Sequence, residues 1–386
     1  MGHNASSCEP ILSGFNPKRF KSMSLEVDES MSPEVDESMS PEVDESNLVR
    51  YKGDFDIPEG KGIGEGMFSN VIKGYDRKNE NEVVFKKVNT KNNSRYVQLA
   101  EKEISIMNKF RKYKNTYINN YYGYFLHDRD YYLVYDKLDM NLYELYTGYP
   151  DYLTFIACVN ITRQCLEGLT FIHQFVIHCD LKPENIMIDK ETQQIKIIDF
   201  GSSEFIDSKK KRIYDYVVSR YYRAPEILYN SIYDQKIDIW SIACIFFELL
   251  FKSAIFPGKN SRDLVFIITQ YIGIPKVSDF NDNTIAKSGI IEKFRLYFND
   301  DNTFIRDRKT RDKKYVEYDE TNLSESISQY FEINEQELGL DKYPDNGEYD
   351  INNSIAFFKS VFQYDITKRP SAEECLKLEL FRTTFI

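Results

Sequence analysis

Cysteine is scarce and scattered in this chain: six residues, at 8, 158, 165, 179, 244 and 375, with no Cys-x-x-Cys and no paired histidines. That pattern excludes a disulfide framework and a zinc cluster, and it points to a reducing compartment. Long hydrophobic runs are missing too. The longest, Trp240–Phe251, is broken by Glu248 and is too short to span a bilayer. No hydrophobic signal segment opens the chain. Nor is there a surplus of positive charge: the formal charge is −11, so no nucleic-acid surface is expected. Residues 1–46 hold ten acids against three bases, leaving the other 340 residues only mildly acidic. What is present is 386 residues, 42% of them hydrophobic, enough for a two-lobed domain with a large core and a tail.

The stretch His178 to Asn185 reads His-Cys-Asp-Leu-Lys-Pro-Glu-Asn. It sets an ammonium and an amide two and five residues after an acid. Just downstream, apolar Ile195–Ile198 leads into Asp199-Phe200-Gly201. Asp180 can accept a hydroxyl proton, Lys182 can hold a phosphate, and Asn185 and Asp199 can hold magnesium. This is equipment for phosphoryl transfer, which needs positioning and charge neutralisation more than covalent chemistry.

Upstream, Gly62-Ile63-Gly64-Glu65-Gly66-Met67-Phe68-Ser69-Asn70-Val71 is glycine-rich. A dinucleotide-binding unit would need a helix next. Asn70–Tyr75 reads instead as strand and turn, so a hairpin lid over phosphates fits better. Val83–Val88 is a strand with two lysines. Alternation puts Val84 and Lys86 on one face, Phe85 and Lys87 on the other. The helix after it carries Leu99, Ile106 and Phe110 on one stripe, with Glu103 among them. An acid on a buried face needs a partner. A second long helix is expected through Phe155, Val159, Leu166, Leu169 and Ile172.

Together these motifs resemble the eukaryotic protein kinases, whose catalytic loop is His-Arg-Asp-Leu-x-x-x-x-Asn and whose magnesium loop is Asp-Phe-Gly. The resemblance covers roughly residues 51–386. It implies the α+β bilobal kinase fold: a small lobe at 51–138, with a five-stranded sheet and one helix, and a larger, mainly helical lobe at 139–386. It implies ATP and Mg2+ as cofactors. The ATP-binding residues would be Ile63, Gly64, Glu65, Gly66, Met67, Phe68, Ser69, Asn70 and Val71 of the loop, then Val84, Lys86, Asp136, Leu138 and Met187. Phe85 would block the purine slot, so Lys86 is the phosphate-binding lysine and Glu103 its partner. Tyr135 is the gatekeeper, and 136–138 the hinge. Three residues depart from the pattern: Ser69 replaces the third glycine, Val84 an alanine, and Cys179 the arginine before the catalytic aspartate. That arginine normally pairs with an activation-loop phosphate, so the switch must be wired differently here.

Tyr214–Ser219, running into Arg220-Tyr221-Tyr222-Arg223-Ala224-Pro225-Glu226, resembles the CMGC group, nearest its dual-specificity tyrosine-regulated and pre-mRNA-processing branch. There the residue matching Tyr216 is phosphorylated and docks on those matching Arg220 and Arg223, as a doubly charged phosphate pairs with guanidinium forks. Glu226 and Arg369 match a buried structural ion pair. Phe256–Lys259 matches the start of the CMGC insert. Lys182 is the serine/threonine-kinase form. The expected activity is transfer of the ATP γ-phosphate to Ser/Thr hydroxyls of protein substrates, by a monomer. A partner-binding pseudokinase and a small-molecule kinase are the alternatives.

The first 50 residues read as a disordered acidic head with an octapeptide repeat starting at Ser22, Ser30 and Ser38. Ser32-Pro33 and Ser40-Pro41 are candidate proline-directed phosphate acceptors. Gly2 fits an N-myristoylation pattern, and Cys8 offers a second anchor. Cytoplasm or nucleus is expected, with a membrane as partner only if these two positions are lipidated.

Overall fold

β-branched and aromatic residues are concentrated in the strand segments between Phe55 and Asp136, which form a curled antiparallel sheet. Its strands are β1 (Phe55–Asp56), β2 (Gly64–Glu65), β3 (Ser69–Asp76), β4 (Asn81–Val88), β5 (Tyr121–His127) and β6 (Asp130–Asp136). The order is β1-β3-β4-β6-β5, with β2 also on β3. β1 and β2 pair with opposite ends of β3, Phe55 with Asp76 and Gly64 with Val71. They are two pieces of one rank, so the five expected strands appear as five ranks. The computed structural model describes residues 52–58, 62–65, 69–90, 94–113, 115–206, 219–280, 284–299, 304–305, 315–316, 323–338 and 344–382. Gly2, Cys8, the octapeptide repeat, Gly66, Met67, Phe68 and Tyr216 lie outside them. All the described residues belong to one unit, Pro41–Ile386.

The pleat sorts β4 as alternation requires. Phe85 is fully buried in a cluster with Phe55 and Phe125, ring centroids 5.2 and 6.0 Å away. A side chain at Gly74 would meet that ring at 2.4 Å and the Asp56 carbonyl at 2.5 Å, so only glycine lets β1 and β3 close over Phe85. Helix α1 (Ser94–Arg111) follows β4 in the chain, and Glu103, Ile106 and Phe110 are buried on it as expected. Leu99 is only half-buried; the smaller Ala100 takes the fully buried place.

The second half is mainly helical: α2 (Leu142–Gly148), α3 (Phe155–Ile172), α4 (Pro225–Leu228), α5 (Lys236–Phe251), α6 (Ser261–Ile272), α7 (Thr284–Tyr297), α8 (Leu323–Leu338) and α9 (Pro344–Val361). Asn141 and Glu144 close a capping box at the start of α2, and Thr154 caps α3. Every residue from Ile237 to Phe251 of α5 is buried. A helix apolar all round belongs in a core. Among the described residues no helix is long and apolar enough to cross a membrane. α5 carries two buried acids, Asp238 near its start and Glu248 near its end. Glu248 accepts the hydroxyls of Tyr146 on α2 and Tyr222, each at 2.7 Å.

Candidate active site

The segment from His178 to Asn185 lies between β8 (Val176–Ile177) and β9 (Ile186–Ile188). β9 pairs with β7 (Met140–Asn141) on one side and β10 (Ile195–Ile197) on the other. The loop hangs on Asp238. One carboxylate oxygen accepts the backbone N–H of His178 at 2.8 Å, the other that of Cys179 at 3.0 Å. His173 at the end of α3 bonds the same carboxylate at 2.9 Å. Cys179 is fully buried with φ 66°, a left-handed turn that presents Asp180 on the far side. Asp238→Ala would strand two buried N–H groups. It is expected to cost about 2–4 kcal/mol, read by thermal unfolding.

Asp180 is fixed on every side. Its Oδ1 accepts the N–H and Oγ–H of Ser219 at 3.1 and 2.7 Å. Its Oδ2 faces the Lys182 ammonium at 3.3 Å and the Asn185 amide, also at 3.3 Å. That amide further bonds the Asp180 carbonyl at 2.8 Å. Burial works against the charge of Lys182, but Asp180 and Glu184 outweigh it and raise its pKa. Ser219, 39 residues away, was not singled out in the sequence, since an isolated serine near a loop's end carries no spacing signal.

From β4, Lys86 reaches Glu103 at 2.8 and 2.6 Å and Asp199 at 2.7 Å. Lys87 turns the other way, to Asp130 at 3.3 Å. Burial would lower the Lys86 pKa, but the two carboxylates raise it well above the usual lysine value. Burial likewise would raise Asp199, yet Lys86 and the Gly201 N–H bring its carboxyl down to about 2. Burial pushes Glu103 up, against the pull of Lys86. Two acids share one ammonium, so the trio favours an added cation. The Asp199 side chain is 42% exposed against 3% for Glu103, so the cation would arrive at Asp199. A side chain on Gly201 would press within 3.3 Å of all three charged groups.

Two bonds join the halves of the site. The Ile198 N–H donates to the Asn185 carbonyl at 3.0 Å, and the His178 ring meets the Ile198 carbonyl at 3.0 Å. Asn185 and Asp199 are thereby held side by side. Asn185 spends its amide hydrogens on Asp180, and among the described residues no hydrogen bond claims its Oδ1 or the Oδ2 of Asp199. Two hard oxygens and a negative surplus suit Mg2+, which binds through one or two protein groups plus phosphates.

The remaining expected residues line up around this centre. Ile63 N–H bonds the Val71 carbonyl at 2.7 Å, and Gly64 and Glu65 pair with Val71 and Asn70 in the expected hairpin. Val71 stands opposite Lys86 and Ser69 opposite Val88, so the hairpin adjoins the lysine strand. Val84 faces Tyr135 across β4 and β6. The Asp136 N–H bonds the Asn120 carbonyl, and its carboxylate takes the Tyr122 hydroxyl. Leu138 and Met187 are half-buried, Met187 opposite Asn141. Arg369 grips Glu226 through two parallel bonds of 2.6 and 3.0 Å, both groups buried. Arg220 donates to the Lys259 carbonyl, and Arg223 is buried. Lys102 on α1 pairs with Glu204 of β11 (Glu204–Phe205) at 3.1 Å, a tie from α1 to the loop after Asp-Phe-Gly that needs no arginine at 179.

The family model described as protein kinase domain matches residues 58–381. The chain is similar to a putative dual specificity tyrosine-phosphorylation-regulated kinase 3 homolog of Drosophila melanogaster, 37% identical over 58% of this chain and 27% of that protein. It is similar to the dual specificity tyrosine-phosphorylation-regulated kinase mbk-2 of Caenorhabditis elegans, 34% identical over 60% and 29%. With the dual specificity tyrosine-phosphorylation-regulated kinase 4 of Homo sapiens it shares 36% over 55% and 41%. The matched region thus spans well under half the length of these relatives.

Proposed function

The chain belongs to the protein kinase domain family, and from that premise we propose that it transfers the γ-phosphate of ATP to serine and threonine hydroxyls of proteins. The observation that carries this is Lys86 bridging Glu103 and Asp199 while Asn185 bonds Asp180. In this reading Asp180 orients the incoming alcohol and takes its proton, its plane set by Ser219, Lys182 and Asn185. Lys86 holds the α- and β-phosphates, kept in place by Glu103. Lys182 steadies the γ-phosphate. Asn185 and Asp199 would hold magnesium, which when bound would neutralise phosphate charge. The hairpin at 63–71 covers the phosphates, Val84, Leu138 and Met187 flank the base, and Asp136 and Leu138 offer it backbone groups.

The relatives' names supply a second element. We infer that Tyr216 is autophosphorylated and that its phosphate pairs with Arg220 and Arg223. A kinase assay on a peptide library, followed by phosphosite mapping on the chain itself, tests both. Labelled serine and threonine peptides and a modified Tyr216 are the expected outcome. Nucleotide binding without any transfer would remove the enzymatic reading and leave a partner-binding one.

A further inference from the structure

Tyr135 lies on β6, opposite Val84 of β4 and Tyr121 of β5. It is buried, and its hydroxyl donates to Glu103 Oε1 at 3.1 Å. Four residues earlier on the same face of β6, Tyr131 donates its hydroxyl to Glu101 at 3.0 Å. One strand of the sheet therefore holds α1 through two tyrosine hydroxyls.

The inner bond matters for the site because Lys86 is fully committed. An ammonium has three N–H donors. Here they face Glu103 Oε1, Glu103 Oε2 and Asp199 Oδ1. A phosphate binding to Lys86 must draw on the same donors. Glu103, 2% exposed, would then lose part of the ammonium that is its one charged partner among the described residues, in a place closed to solvent. The Tyr135 hydroxyl comes from the sheet and belongs to none of the groups competing for Lys86. Burial, reinforced by Glu103, raises the Tyr135 pKa far above the usual tyrosine value, so the proton stays available to donate. Tyr121 is the contrast. It too is buried, its ring 5.4 Å from that of Tyr135, yet among the described residues its hydroxyl has no hydrogen-bond partner.

Building on the phosphoryl-transfer reading above, we propose that Tyr135 is a positioning residue: its hydroxyl anchors Glu103, and α1 with it, to the sheet, so that Lys86 keeps its place when phosphates claim its protons.

Tyr135→Phe keeps the ring and deletes only this bond. It is expected to lower kcat about tenfold, the size of one hydrogen bond to a charged group, with KM for the peptide unchanged. Tyr121→Phe removes an unbonded hydroxyl and should stay within about twofold of the parent. In a Glu103→Ala background, adding Tyr135→Phe should lower kcat no further, because the hydroxyl has lost its target. Parent-like kcat in Tyr135→Phe, or an equal drop in the Glu103→Ala background, overturns the proposal. If no peptide is labelled, the transfer reading fails by itself, and Mg-ATP binding to Asp180→Asn becomes the readout. Several-fold weaker binding on adding Tyr135→Phe upholds the anchor; unchanged binding overturns it.

Discussion

Asp180→Asn is expected to lower kcat for peptide phosphorylation about a thousandfold, within the range that a positioned general base supplies, while Mg-ATP still binds. The substitution keeps the shape and removes the proton acceptor. It also places an NH2 group where Ser219 donates at 2.7 Å or where Lys182 stands at 3.3 Å, so one contact turns from attraction to repulsion. The ion trio of Lys86, Glu103 and Asp199 is untouched, which is why nucleotide binding should survive. Initial rates with labelled ATP and an isothermal binding measurement check the two halves separately. A loss below tenfold would take Asp180 out of the base role.

Arg369→Met is expected to destabilise the fold by about 3–5 kcal/mol, the cost of leaving one partner of a buried pair alone. Glu226 would lose both parallel bonds in a site where it is 1% exposed. The Val361, Lys236 and Gln363 carbonyls would lose the same guanidinium. At roughly 2–4 °C per kcal/mol for a domain of this size, the melting temperature should fall by about 10 °C. Glu226→Leu added to Arg369→Met should recover part of that loss, since no charge is then left buried. Thermal unfolding of the three variants decides it. A single variant that melts with the parent would show that the pair braces nothing.

Much of this site was legible in the sequence because its geometry is local or periodic. Offsets of two and five fix Lys182 and Asn185 relative to Asp180 within one short loop. Alternation put Lys86 and Lys87 on opposite faces of β4, as the strand pairing has them, and the kinase resemblance chose between them. The stripe on α1 found Glu103. It misplaced Leu99, because a helical period marks a face and does not choose between a leucine and the neighbouring alanine for closest approach. What stayed hidden are contacts between distant, commonplace residues. Ser219 meets Asp180 over 39 positions, Asp238 meets Cys179 over 59, and Tyr135 meets Glu103 over 32. Nothing in the spacing around Asp238 says that it holds two backbone N–H groups.

α5 has a consequence for how this molecule fails when warmed. Its first turn suspends the stretch bearing Asp180 through Asp238, and its last turn clasps α2 and the tyrosine beside Arg223 through Glu248. Both ends are rooted in one helix buried from Ile237 to Phe251. Catalytic order and global order should therefore vanish in the same melting transition, with no folded but disarmed species in between.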